Sequence, residues 1–395
     1  MGLPPVVNVP HLIRGMQPNL ARMKNRVLFS LGISLLLGTL ASQAQVTMTA
    51  LSSFGGGDGW LSPGEGGYTF LGTGNNERGI AYGNGHVYLV SRNGGSFIRI
   101  LDPLTGADLG ALNTAGVSGG TFAANMIGVG GDGVVYVGNL TTQSTTTSYK
   151  VYSWATEGSA PVVAYSGDAG LAGSRTGDTL AVFGRGSSTV LAAGYNGTPA
   201  VAGNNSYAII NPTAGTATAV GFSGTPPNAG DFRLGLTFSD SSHVIGTAGS
   251  SLYRYSSFSG TSGTLLASPA IPDPAGATAD RLMAYTVLGG KPLLAVQSIG
   301  DSHVSLYDMT DPSNPVYLTA GNNTSGTLTA NGNGTGEEVW GPITVNGDGS
   351  VSETLYSMSS NQGIQAFIVN VPEPGVGSLA LLGLGLLAFW RKVHK

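Results

Sequence analysis

Short β-branched and aromatic runs, separated by clusters of Gly, Asn and Asp, return about every 50 residues along this chain, and this repeat constrains the fold more than any other feature. Each unit opens on a small, apolar run: Gly79-Ile-Ala-Tyr-Gly83, Met126-Ile-Gly-Val129, Thr179-Leu-Ala-Val-Phe183, Leu234-Gly-Leu-Thr-Phe238, Leu282-Met-Ala-Tyr285 and Val339-Trp-Gly-Pro-Ile343. A second run follows after a tight turn, at His86–Val90, Val134–Val137, Thr189–Ala193, His243–Thr247, Pro292–Val296 and Thr354–Met358. Turns such as Gly83-Asn84-Gly85, Gly131-Asp132-Gly133 and Asn346-Gly347-Asp348-Gly349 supply the positive φ that hairpins need. A third run lies at Phe97–Leu101, Tyr149–Trp154, Tyr207–Ile210, Leu252–Tyr255, Val304–Tyr307 and Ile364–Val369. A further turn, as at Asp102-Pro-Leu-Thr-Gly106, leads to a fourth strand at the unit's edge.

Repeats of this length and content predict an all-β propeller of six four-stranded blades. The sixth unit has no room for a fourth strand before Pro372. Val46-Thr-Met-Thr-Ala-Leu51, which precedes any complete unit and alternates correctly, is expected to supply it and close the ring, removing an edge that would invite aggregation. Residues 55 to 77, with part of 105 to 125, leave space for a seventh blade. A sandwich or a parallel β-helix is the alternative, although a period near 50 residues suits neither as well. Composition agrees with an all-β body, since 64 Gly accompany only 10% charged residues, and residues 45–370 contain no sustained 3.6-residue period of helix formers. The layout resembles secreted propellers of the NHL, WD40 and quinoprotein types, but their diagnostic motifs are absent.

The two chain ends follow a different design. At the C-terminus, Val371-Pro372-Glu373-Pro374 is followed by an apolar run from Val376 to Trp390 and a basic end with Arg391, Lys392, His394 and Lys395. Two prolines around Glu373 fix φ and remove two backbone donors, so neither strand nor helix continues through the box. The 15-residue run is shorter than the ~20 residues a bilayer core asks of a helix, but snorkelling by Arg391 and Lys392 lets it span a thin membrane with little tilt. A buried core helix fits less well, because the run is apolar all round and contains Gly377, Gly383 and Gly385. Box, transmembrane helix and basic tail, in this order and spacing, resemble the PEP-CTERM sorting signal of Gram-negative bacteria that make exopolysaccharide. The resemblance covers residues 371–395 only. It implies recognition by exosortase, a membrane cysteine protease that cuts near the box, with release or re-anchoring of the passenger at the cell surface, outer envelope or extracellular matrix.

Such a chain needs an export signal for the Sec machinery. From Met23, Lys24 and Arg26 form a basic region, Val27 to Ala41 an apolar one, and Ser42-Gln43-Ala44 a small-residue cleavage site, so cleavage is expected after Ala44. Residues 1–22, with four prolines and no apolar period, are expected to lie upstream of the true start at Met23. The passenger is then 45–370. Seven of the chain's 17 Lys and Arg and one of its 21 Asp and Glu lie outside it, leaving 10 against 20 and a net charge of −10. That balance argues against a nucleic-acid partner. The chain has no Cys, which excludes disulfides, thiolate metal sites and a Cys nucleophile.

Catalytic motifs are sparse: there is no Gly-x-Ser-x-Gly elbow, no His-Glu-x-x-His and no phosphate loop. His86, His243 and His303 stand at strand starts, where hairpin corners explain them better than metal ligation does. Asp132 and Asp348 lie in Gly-Asp-Gly turns that lack the rest of a Ca²⁺ loop, so no metal or cofactor is expected. One pattern stands out. Just before or at each innermost strand sit Glu77 and Arg78, Asn125, Asp178, Asp231 and Arg233, Asp280 and Arg281, and Glu337 and Glu338. In a propeller these positions surround a mouth of the central channel. Arg78, Asn125, Asp178, Arg233, Arg281 and Glu338 are therefore the candidate contacts for a polar or carbohydrate ligand, unless Arg/Asp pairs there simply tie neighbouring blades together. Two functions remain: a non-catalytic envelope or matrix protein that binds polysaccharide or protein, and a hydrolase or lyase acting on sugars or lactones with a divalent metal. Carboxylates that converge on an open cavity would favour the second, and carboxylates locked to arginines the first.

Overall fold

The computed structural model describes residue 2 and residues 45–196, 206–222, 230–247, 253–271 and 279–373. The export signal with its cleavage site at Ala44, the apolar run and the basic end with Arg391 and Lys392 lie outside the described residues. Among the described residues no helix is long and apolar enough to cross a membrane.

Strands β1 (Thr47–Ala50) and β2 (Trp60–Leu61) precede a first meander of β3 (Glu77–Gly83), β4 (His86–Ser91), β5 (Phe97–Leu101) and β6 (Asp108–Ala111). The second contains β7 (Phe122–Val129), β8 (Val135–Leu140), β9 (Tyr149–Trp154) and β10 (Val162–Gly167). Next come β11 (Ala181–Phe183), β12 (Val190–Gly194), β13 (Tyr207–Asn211) and β14 (Thr216–Phe222), then β15 (Leu236–Asp240), β16 (His243–Thr247), β17 (Tyr253–Ser259) and β18 (Ser262–Ala267). β19 (Asp280–Leu288), β20 (Lys291–Ser298), β21 (Val304–Asp308) and β22 (Val316–Gly321) precede the last three, β23 (Gly336–Val345), β24 (Val351–Ser359) and β25 (Ile364–Val371). Asn84 and Gly85, with φ of 54° and 81°, form the two-residue loop between Gly83 and His86, the geometry that matches the twist of paired strands.

Three meanders, β3–β6, β7–β10 and β19–β22, are separate four-stranded sheets. β11–β18 form one eight-stranded sheet, because the outer strands β14 and β18 pair in parallel at Gly221↔Ser262 and Phe222↔Gly263. The innermost strands touch in a closed cycle, β3 to β7, β11, β15, β19, β23 and back to β3. Small residues permit that approach: a Cβ on Gly128 would fall 2.4 Å from Val182, and one on Gly235 1.8 Å from the Arg281 carbonyl. Six hydrophobic clusters fill the spaces between successive meanders; Trp154 and Tyr88 share one of them and Tyr207 and Phe232 another. The result is an all-β, propeller-like body, unlike either a sandwich or a β-helix.

The final sheet is completed from the start of the body. β1 pairs antiparallel with β25 from Thr47↔Asn370 to Ala50↔Phe367, as the alternation of Val46–Leu51 predicts. Residues 55–76 do not form a four-stranded unit. They make two 3₁₀ turns, at Gly55–Gly57 and Glu65–Gly67, and the short β2, which pairs with β25 at Trp60↔Gln365. Phe54, Leu61, Phe70 and Leu71 from this region plug the cluster between the last sheet and the first. β25 runs two residues past the run Ile364–Val369, since Val371 pairs with Val351 and is buried; Pro372, without an N–H, ends it.

Candidate functional site

The polar residues that open the inner strands are bonded to one another across meanders. Arg78 is 1% exposed, and its Nε donates to Asn125 Oδ1 at 2.7 Å; Asn125 Nδ2 donates to the Gly177 carbonyl. The next residue, Asp178, is shared by two guanidinium groups. Arg175 donates from Nε and Nη2 at 2.7 and 2.8 Å, Arg233 from Nε at 2.6 Å, and Arg233 Nη1 also reaches Asn196 at 3.0 Å. Burial pushes the Asp178 carboxyl up, but the hydrogen bonds and charges of Arg175 and Arg233 outweigh it and hold the group below its ordinary range. Arg78 is pushed down to about 10 by burial; Asp178 opposes this, and Arg92, Arg175 and Arg233 add to it. Asp231 takes a separate partner, Arg254 Nε at 2.7 Å. Arg281 stands apart from this chain of bonds, its Nη1 lying 2.0 Å from where a Gly334 Cβ would be.

Glu337 and Glu338 behave in the opposite way. Burial raises both carboxyls well above the usual range. For Glu337 the N–H groups of Ile127 and Ile80, from the two nearest inner strands, act against that rise. Glu338 accepts from Ser357 Oγ at 3.0 Å, and Asp280 reinforces its rise. Both residues line a cavity of about 250 Å³ enclosed by all six inner strands, together with Tyr82, Thr237, Tyr285 and Trp340. Glu338 is the one residue of the six candidate contacts that lines it; Arg78, Asn125, Asp178 and Arg233 form the network between meanders, and Arg281 lies against Gly334.

The other sequence candidates are satisfied by protein partners. His86 bonds Glu157 at 2.7 Å, His243 bonds Asp240 at 2.8 Å and His303 bonds Asp301 at 2.7 Å. Asp132 accepts the N–H of Gly186 from the following meander, whereas Asp348 accepts the N–H and hydroxyl of Ser350, which is turn chemistry. Among the described residues no group of three or more His, Asp or Glu side chains comes together as a metal site requires. Sequence reasoning missed Arg175 and Arg254 as partners of Asp178 and Asp231, and the aromatic contribution of Tyr82, Tyr285 and Trp340 to the cavity. A signal for the last was present: Tyr82 and Tyr285 are each the fourth residue of an inner run, and Trp340 is the second residue of another.

Fold and cavity define a propeller-like body whose inner strands surround a small pocket, with a distinct segment after its last strand. Residues 370–393 match the PEP-CTERM protein-sorting motif. This motif implies an exported protein, anchored in the membrane before processing by exosortase. It covers the tail and leaves the body unassigned. No curated protein matches the sequence. Among solved structures, the major allergen Mala s 1 of Malassezia sympodialis is similar at 12% identity and a TM-score of 0.46, over 76% of this chain and 93% of that one. A gluconolactonase of Xanthomonas campestris is similar at 11% identity and a TM-score of 0.46, over 85% and 93%. The periplasmic gluconolactonase of Pseudomonas aeruginosa is similar at 15% identity and a TM-score of 0.40, over 75% and 86%. At these values none bears on activity, and the fold rests on the sheet topology itself.

Proposed function

We propose that this chain is an exported six-bladed propeller, processed by exosortase, that serves at the cell surface, outer envelope or extracellular matrix as a non-catalytic binding or structural protein for a polysaccharide or protein ligand. The eight-stranded sheet counts as two blades stitched at their outer edges. The signal peptide is 23–44, the passenger 45–370 and the sorting signal 371–395, with a transmembrane span whose Arg391 and Lys392 remain cytoplasmic until processing. The observation that carries the binding reading is the state of the carboxylates: Asp178 is held by two arginines and Asp231 by Arg254, while Glu338 points elsewhere, towards Ser357. A hydrolase built on these groups needs them converged. The purified full chain should bind glycans or envelope proteins saturably and turn over neither lactones nor glycosides, with or without divalent cations. Metal-dependent turnover would overturn this reading.

The second reading, a hydrolase or lyase on sugar or lactone substrates, draws support from Glu337 and Glu338, since both line the cavity and burial raises their carboxyls, the direction a general acid requires. Glu338→Gln would then abolish turnover while leaving binding intact.

A further inference from the structure

We propose that the cavity receives a single terminal sugar unit of a glycan, end-on, and does not admit a threaded chain. The inference rests on the binding reading above and specifies what that site recognises. A cavity of about 250 Å³ lies below the ~300–1,000 Å³ of typical small-molecule pockets, which suits one pyranose ring better than an oligosaccharide.

Glu337 narrows the cavity where the inner strands begin, reaching from β23 to the backbone N–H groups of Ile80 and Ile127 on the next two inner strands. A Cβ on Gly79 would fall 2.7 Å from Glu337 Oε2 and 3.0 Å from Met126 Cα, so strand and side chain are already in contact there. A ligand therefore enters from the side of Tyr82, Tyr285 and Trp340, further along the same strands.

The unused polar atoms suit a sugar. Glu337 Oε2, Glu338 Oε2 and Trp340 Nε1 are buried and have no hydrogen-bond partner among the described residues, and Glu338 is only 4% exposed. Buried polar groups left this way cost about 1–3 kcal/mol each unless a ligand or water satisfies them. Carboxyl oxygens accept and, when protonated, also donate, and the indole N–H donates, which matches hydroxyl groups that do both. The rings of Tyr82, Tyr285 and Trp340 supply broad, rigid faces for the less polar side of a pyranose. An anionic sugar is disfavoured, because its charge would face two carboxyls with no arginine lining the cavity.

The test compares glycans with and without ends. The detergent-solubilised full chain is titrated with linear six-unit α- and β-glucans and with cyclic glucans of the same linkages, read by tryptophan fluorescence and calorimetry, alongside methyl pyranosides of glucose, galactose and mannose. Linear glucans or methyl pyranosides should bind, cyclic ones at least about tenfold more weakly, a difference of ~1.4 kcal/mol. Trp340→Phe should lose the fluorescence change and about tenfold in affinity; Glu338→Leu should lose a similar factor, while Glu338→Gln, which keeps a neutral donor and acceptor, should stay within about threefold. Equal binding of linear and cyclic glucans, or full affinity in both Trp340→Phe and Glu338→Leu, overturns end-on recognition and leaves glycan binding elsewhere on the body standing. No binding of any probe at millimolar concentration by folded protein overturns both.

Discussion

Two sets of acids sit within the same ring of strands and are treated in opposite ways. Asp178 and Asp231 are held by arginines: Asp178 by Arg175 and by Arg233 of the next meander, Asp231 by Arg254 within its own. Glu338 is buried and Glu337 half-buried, neither has a cation at hydrogen-bond distance among the described residues, and burial raises both carboxyls well above the ordinary range. The difference lies in whether an arginine arrives from a neighbouring loop or strand. It separates groups that hold the ring together from groups that face its cavity, and a residue's position just before an inner strand does not tell the two apart.

The comparison breaks most visibly at Asp178. Asp178→Ala leaves Arg175 and Arg233 without their shared carboxylate and close to buried Arg78, so we expect a loss of about 3–5 kcal/mol in denaturant unfolding with ligand binding unchanged in the folded fraction. A loss under 1 kcal/mol would mean that the network is not structural.

Changing pH sharpens the comparison. Glu353, buried and bonded to Thr286 at 2.9 Å, belongs with Glu337 and Glu338: burial pushes its carboxyl up to about 7. Between pH 4.5 and 7 the unfolded chain has already lost this proton while the folded chain keeps it, so stability must fall as pH rises, by up to about 3 kcal/mol from this group. Glu337 and Glu338 act in the same direction. Asp178, whose folded carboxyl is lowered, contributes stability above the ordinary Asp range that is lost only as pH falls below it. Unfolding from pH 4.5 to 7.5 should show the decline, and Glu353→Gln should flatten it; a wild-type curve that rises across this window contradicts the assignment.

Trp340→Ala addresses the cavity side. The ring is half-buried, so about 2 kcal/mol of stability should go, less than at Asp178, whereas the ligand response should vanish. The smallest effect is expected far from both sets: Gly85→Ala at a hairpin loop with φ +81° and open space around it should cost about 1 kcal/mol in thermal unfolding and leave binding alone.

Strands were legible where local chemistry sufficed. The runs Phe97–Leu101, Tyr149–Trp154 and His243–Thr247 coincide residue for residue with β5, β9 and β16, because alternation and turn residues act over a few positions. The parallel pairing of β14 with β18 was not legible, since it joins strands whose own patterns carry no sign of each other. Nor was the plug at 54–71, where turns forced by glycine conceal the apolar anchors Phe54, Leu61 and Phe70. At the site, the polar positions were readable and their partners were not. Arg175 sits three residues from Asp178 in a loop with no pattern of its own, and only the folded chain shows that it reaches that carboxylate first.

The join between β1 and β25 has a kinetic side. Trp60 and Gln362, hydrogen-bonded beside that join, are 302 positions apart, so the last sheet has a very high contact order and its loop-closure entropy is among the last terms to be repaid. A body built this way cannot complete itself while its final strand is still being delivered. The early blades can form as they emerge, but the ring stays open, and pliable, until the segment immediately before the sorting box has crossed.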